Sequence, residues 1–221
     1  IVSWMFSINE ELAPFYEMAA QVPFLHSLTK HFPGLQILRS PSIFESIVLS
    51  ILGQQISASV ARRMRSDLIK IYGSYIEFDQ GKYHSFPTAE KFANVSRDDL
   101  RDIGLSKRKA EYILGVARLA SGGLLSADTL RDKSDQDILS VLTSIDGIGP
   151  WTANWLLIRA LGRPDGFPSN DLALKRALTR LLDRQEVVTD KEAEEMSLKW
   201  IPYRSLITTY IFAALRNDVI G

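Results

Sequence analysis

The chain has no cysteine. That absence excludes disulfides, a thiolate nucleophile, and any zinc ion or iron–sulfur cluster held by cysteine. It is compatible with a reducing intracellular compartment, which is the localisation expected here (cytoplasm and nucleoid, or nucleus). No apolar run reaches the roughly 20 residues of a helical membrane span, and no secretory leader opens the chain, so no membrane partner is expected. Net charge is also lacking: 26 Lys and Arg balance 26 Asp and Glu, which removes whole-molecule steering toward an acidic partner. No tandem repeat of fixed period is present.

What remains is an ordinary globular composition. There are 221 residues, 46% hydrophobic and 24% charged, enough for one large domain or two small lobes with real cores. The charge is unevenly spread. Arg62, Arg63, Arg65 and Lys70 face only Asp67 within 57–70, and Arg101, Lys107, Arg108, Lys109 and Arg118 face Asp102 and Glu111 within 101–120. Each run alone reads as a solvated helix face; together they leave a neutral protein with local surfaces for phosphate.

Helical periodicity dominates. In "SIFESIVLSILGQQ" the apolar residues 43, 44, 47, 48, 51 and 52 form one broad face. "SASVARRMRSDLIKIYG" starts at a serine cap and stops at Gly73. Similar runs continue to "PYRSLITTYIFAALRN", separated by "SGG", "GIG" and "GRPDGFPSN". The reading is an all-α core of roughly ten helices. The stretch 73–87 is expected as a surface loop, and "IVSWMF" as a lone strand.

In "LTSIDGIGPWTANWLLI" (142–158), Ile145 and Ile148 are placed to pin a turn to the core. Gly147 and Gly149 allow backbone conformations and close approaches that a side chain would block. Pro150 suits a first helical position, and the helix after it points unpaired N–H groups at whatever lies over the turn, a natural phosphate site. The plain alternative is a glycine-rich connector. Trp151 and Trp155, four apart, share a helix face. Asp171, just before the run "LALKRAL", reads on its own as a helix cap; Asp165 sits earlier in the same loop.

The string hydrophobic-x-Gly-hydrophobic-Gly-x-x-Thr-Ala resembles the helix–hairpin–helix motif of the DNA glycosylase superfamily that carries a Gly/Pro-rich loop and a catalytic aspartate. The branch most similar is that of the alkylation-repair enzymes of 3-methyladenine DNA glycosylase II type. The resemblance runs from about residue 4 to residue 216, with "FESIVLSILGQQIS" similar to the family's wedge region and "GLSKRKAEYI" to the segment leading to the hairpin. It implies a two-lobed helical fold, with a central lobe 43–163 and a terminal lobe 8–42 plus 164–221. Residues 1–7 would be the remnant strand of a mostly missing N-terminal α+β domain, as the non-methionine start at Ile1 also suggests.

The resemblance further implies a monofunctional glycosylase, active as a monomer on double-stranded DNA with damaged bases. It would flip and excise alkylated purines such as 3-methyladenine and 7-methylguanine. Asp171 would be the catalytic aspartate, an ionised carboxylate at a helix start that stabilises an oxocarbenium-like transition state and helps direct water at the sugar carbon. Trp151, Trp155 and Phe212 would line the pocket for a cationic base. Gln54 and Gln55 would form the DNA wedge, with Gln55 as the plug. The amides of Gly147, Gly149 and Thr152 would hold the phosphate, and the carbonyls of Thr143, Ile145 and Gly147 a monovalent cation, sodium or potassium. No cofactor is implied for catalysis, and no iron–sulfur cluster. Trp151 stands where strand-cutting members carry a Schiff-base lysine, and Leu172 departs from the tyrosine of a close relative. Two alternatives stay open: the same chemistry on deaminated or mismatched bases, and a non-catalytic DNA-binding module.

Overall fold

The computed structural model describes residues 1–220, without the side chain of Ala58. Among the described residues the chain forms fourteen α-helices, one 3₁₀ turn and one two-stranded antiparallel sheet. It divides into two compact units, Ser42–Thr152 and Ile1–Pro41 with Ala153–Gly221.

The first unit begins with α4 (Ile43–Gly53), which buries Ile47, Val48, Ile51 and Leu52. These belong to the apolar face read from the sequence. α4 packs on α8 (Lys107–Ser121), whose Ala110, Ile113, Val116 and Ala117 are fully buried. Also resting on α8 are two short helices, α6 (Ala89–Ala93) and α7 (Arg97–Asp102), which contribute Phe92 and Leu100 to the core. The unit is completed by α5 (Ala58–Tyr72), α9 (Ala127–Arg131), α10 (Asp135–Thr143) and the start of α11 (Pro150–Arg159).

Helix starts in this unit follow one chemical rule. Ser42, Ser57, Thr88, Ser96, Ser106, Ser126 and Ser134 each place a hydroxyl oxygen on the amide three residues on, beginning α4 to α10 in turn. A hydroxyl there satisfies an amide that its own helix leaves without a partner.

The second unit holds α1 (Val2–Met5), α2 (Ala13–Ala19), α3 (Pro23–His31), most of α11, α12 (Leu172–Leu181), α13 (Asp190–Ser197) with its 3₁₀ extension Leu198–Trp200, and α14 (Arg204–Arg216). Its core is rich in aromatic rings. Phe15 touches Tyr16, Tyr203 and Tyr210 with centroids 5.3–5.7 Å apart, and Trp200 meets Phe24 and Phe167 edge-on.

Two local expectations are corrected. "IVSWMF" is a helical turn, not a strand. Met5 N–H and Phe6 N–H reach back to the carbonyls of Ile1 and Val2, while Trp4 donates to Ser40 O at 3.3 Å and lies under the Arg39 guanidinium at 4.3 Å. With no strand beside it, this backbone satisfies itself by closing a helix turn.

The stretch 73–87 contains a β-hairpin, β1 (Tyr75–Phe78) and β2 (Gly81–His84), in register Tyr75 to His84 and Phe78 to Gly81. Its two-residue turn, Asp79–Gln80, has both φ angles positive, at 45° and 63°, the geometry that matches strand twist. The core of roughly ten helices also underestimates the number, because five- and six-residue helices such as α6, α7 and α9 are too short to show a period.

Candidate functional site

In the turn between α10 and α11, Ile148 is buried, and its amide closes the bend on Ile145 O at 3.0 Å. Gly147 has φ +89°, and an added Cβ would lie 2.5 Å from the ring of Tyr112. Glycine is therefore required there twice over, by conformation and by the ring of α8 pressed against it. Gly149 differs: a Cβ there would meet nothing within 4 Å. Among the described residues the amides of Gly147 and Gly149 donate to no protein acceptor, whereas those of Ile145 and Ile148 do. Two amides left for an outside acceptor beside an open surface, at the positive end of α11, form an arrangement suited to an anion. Thr152, also expected to offer its amide, lies in the first turn of α11 with its residue 3% exposed.

Gly147 O accepts a hydrogen bond from Gln54 Nε2 at 2.9 Å. The two wedge candidates are thus divided: Gln54 is half-buried and turned to the hairpin, while Gln55 is exposed in the left-handed region at φ 55°. Of the three carbonyls expected to hold a cation, that of Gly147 serves Gln54 and that of Ile145 serves Ile148. Thr143 closes α10, with its hydroxyl on Leu139 O. Among the described residues no group of acidic or histidine side chains is placed to hold a metal ion.

Sequence reasoning missed Lys109 in this region. Its ammonium donates to Leu52 O at 2.9 Å and Gln54 O at 2.6 Å, and burial pushes its pKa below the ordinary lysine value. Tyr112 was missed as well; its hydroxyl pairs closely with Arg108 Nε.

The second unit places the acid. The loop leaving α11 is held down at each bend. Ser205 Oγ donates to Arg163 O (2.7 Å) and to Gly166 O (3.2 Å), and Ser205 N–H to Pro164 O. Asn154 Oδ1 accepts from Phe167 N–H at 3.1 Å. Gly166 passes so close to α11 that a Cβ would sit 2.7 Å from Ile158. The loop ends at Asp171, 8% exposed, whose Oδ1 accepts Leu174 N–H at 2.9 Å. Asp165, the earlier carboxylate, instead pairs with Arg204 at 3.7 Å. A buried acid at a fixed position can stabilise developing positive charge without first having to reorganise.

On α11, Trp155 meets Phe212 of α14 edge-on, with centroids 5.0 Å apart. Trp151 lies one turn earlier on α11, 41% exposed, and Leu172 is 52% exposed. One turn beyond each member of the aromatic pair stands an arginine, Arg159 and Arg216. Burial, then the neighbouring Arg216 cation, pulls the Arg159 pKa down, and its Nη1 donates to Leu38 O at 2.6 Å. The only sequence sign of these two was their i+4 spacing from the aromatics.

Comparison with known proteins agrees with this geometry. The signature described as "HhH-GPD superfamily base excision DNA repair protein" matches residues 48–203. A DNA-3-methyladenine glycosylase of Bacillus subtilis is 36% identical over 210 residues, covering 95% of this chain and 69% of that protein. DNA-3-methyladenine glycosylase 2 of Escherichia coli is 27% identical, over 81% of this chain and 60% of its own length. The solved 3-methyladenine DNA-glycosylase of Archaeoglobus fulgidus superposes with a TM-score of 0.86 at 29% identity, covering 99% of this chain and 74% of that one. With its signature spanning most of its length and these relatives on either side, the chain belongs to the HhH-GPD superfamily of base excision DNA repair proteins.

Proposed function

We propose that this chain is a monofunctional DNA glycosylase that turns an alkylated purine, of the 3-methyladenine or 7-methylguanine type, out of double-stranded DNA and hydrolyses its N-glycosidic bond. The names of its relatives support the substrate class. The observation that carries the chemistry is Asp171, a carboxylate almost closed off from solvent at the end of a loop whose bends are all tied down.

The hairpin amides of Gly147 and Gly149 receive a backbone phosphate. Gln55 fills the space that the turned-out nucleotide vacates, offsetting a cost of a few kcal/mol. The rings of Trp151, Trp155 and Phe212 take the base, whose alkylation makes it cationic and attractive to aromatic faces. When the C–N bond breaks, its electron pair leaves with the base, which departs neutral, and positive charge grows on the sugar. The Asp171 carboxylate stabilises that charge and accepts a proton from the water that adds to the sugar carbon. Trp151 supplies no amine at the position of the lyase lysine, so the product is an intact strand with an abasic site. A monovalent cation at the hairpin would have to use the second lone pairs of the Ile145 and Gly147 carbonyls, and the hydrolysis does not require it. The enzyme works as a monomer, in the compartment that holds the DNA.

The test is release of 3-methyladenine and 7-methylguanine from methylated duplex by the parent, Asp171→Asn and Asp171→Ser. Serine still caps α12 but has no charge, so both variants are expected to lose at least about a hundredfold in rate while Ser keeps the parent's melting temperature. Parent-like activity in either would leave Asp171 as a helix cap only. No release by the parent on either base would point to another lesion or to a binding module. With borohydride present, no covalent complex with an abasic strand should form; a trapped complex would contradict the monofunctional assignment.

A further inference from the structure

The end of α4 poses a problem that its own sequence does not solve. The last carbonyls of a helix need donors from elsewhere. Just beyond it Gln55, which has a side chain, takes up the left-handed conformation that glycine adopts more readily. Both demands are met from one place. Lys109 donates to Leu52 O and to Gln54 O, and Gln54 in turn donates to Gly147 O of the hairpin turn.

The placement of Lys109 is locally unfavourable. It stands in the first turn of α8 beside Lys107 and Arg108, with no acidic residue in that turn, at the helix end where cations are disfavoured. It is also partly desolvated. A cation held against both of these costs is there for what it touches. Gln54 O belongs to the peptide plane that precedes Gln55, so the orientation of that carbonyl ties ψ of Gln54 to φ of Gln55. An ammonium 2.6 Å from this oxygen holds the plane where the left-handed turn needs it.

We propose that Lys109 is a positioning residue for strand separation: through the Gln54–Gln55 peptide it holds Gln55 in the conformation that enters the duplex, and through Gln54 it ties that tip to the phosphate-holding turn. The inference rests on the reading of Gln55 as the plug. Lys109 itself acts on the Gln54–Gln55 peptide and not on base or sugar. Its loss should matter only where a base must be extracted from a stack.

The experiment compares single-turnover excision from methylated duplex and methylated single-stranded DNA by the full chain, Gln55→Ala, Lys109→Met, Lys109→Arg and the double variant Gln55→Ala/Lys109→Met. Gln55→Ala and Lys109→Met are each expected to slow duplex excision about tenfold and to change the single-strand rate by less than about twofold. The double variant should be no slower than Gln55→Ala, because both changes remove the same function. Lys109→Arg, whose fork can still serve both carbonyls, should recover most of the duplex rate.

If Lys109→Met slows both substrates alike, or its effect adds to that of Gln55→Ala, Lys109 only stabilises the fold and the proposal fails while the plug stands. If Gln55→Ala matches the parent on duplex, the plug reading itself fails and takes this inference with it. Should Lys109→Met not fold, Lys109→Gln retains an uncharged amide N–H2 donor, and its duplex-to-single-strand ratio decides between the same outcomes.

Discussion

A single buried carboxyl illustrates how much one side chain can reveal. Glu45 lies in the first turn of α4, its side chain 11% exposed, with the Arg65 guanidinium 3.6 Å away and half in solvent. Burial raises its pKa, and Arg65 only partly opposes the shift. A carboxyl whose folded pKa exceeds its unfolded one binds more protons in the folded state. Stability is therefore lost as pH rises from the unfolded value through the folded one. Glu45→Gln should thus melt higher than the parent at pH 7, by on the order of 2 °C in a chain of this size, with the gap closing near pH 4. A lower melting temperature at pH 7 would mean that the Arg65 pair outweighs desolvation. At this scale the sequence showed residue types and missed their partners. Asp171 stood out by its place before an amphipathic run and Trp155 by its spacing from Trp151, whereas Phe212 was marked only by the family resemblance. The lysine on the α4 carbonyls and the tyrosine under Gly147 did not stand out, since these pairs lie 35 to 57 residues apart in sequence, beyond any local pattern.

At the scale of elements, what could be read depended on length. α4, α5 and α8 are long enough for their apolar faces to recur, and those faces are the buried ones. α6, α7 and α9 have five or six residues, and their serine or threonine caps were the one sign they offered. The β-hairpin escaped because its strands are solvent-exposed on both sides, so no alternation of apolar and polar residues marks it. The turn between α10 and α11 allows a sharper test, since its two glycines have different surroundings. Gly147→Ala must force a left-handed alanine against the ring of Tyr112, and should cost about 1–3 kcal/mol of stability. Gly149→Ala meets no protein atom and should leave the melting temperature within about 1 °C, yet weaken binding to an abasic duplex about tenfold if phosphate seats there. Thermal melts and binding isotherms on the two variants separate a glycine kept for the fold from one kept for the ligand. Unchanged binding by Gly149→Ala would remove the phosphate from this turn.

Taken whole, the molecule is neutral, and so is each compact unit: Ser42–Thr152 contains 14 basic and 14 acidic side chains, and the other unit 12 of each. Several basic residues are occupied by acids, among them Arg97 by Glu111, Arg101 by Asp98 and Arg131 by Asp128. Arg62, Arg63 and Lys107 are exposed, with no ion pair among the described residues. A small set of phosphate contacts follows. Binding to undamaged duplex should fall with salt at a log–log slope of about −2 to −4, and Arg62→Ala with Arg63→Ala should make it shallower by about 1–2. A slope near −8 would require a basic surface that this charge distribution does not provide.

The β1–β2 hairpin has a practical meaning for the chain as a whole. Ile76, Phe78 and Tyr83 are each more than half exposed, and the tip at Asp79–Gln80 turns on two left-handed residues, so the ribbon takes little from the core and gives little to it. A chain opened between Asp79 and Gln80, or lengthened there by an affinity peptide or a fluorescent reporter, should keep its hydrophobic interior intact. In a chain with no cysteine, one set at that tip would also give a single unambiguous point for attaching a probe or a surface, far along the sequence from Gly147, Gly149 and Asp171.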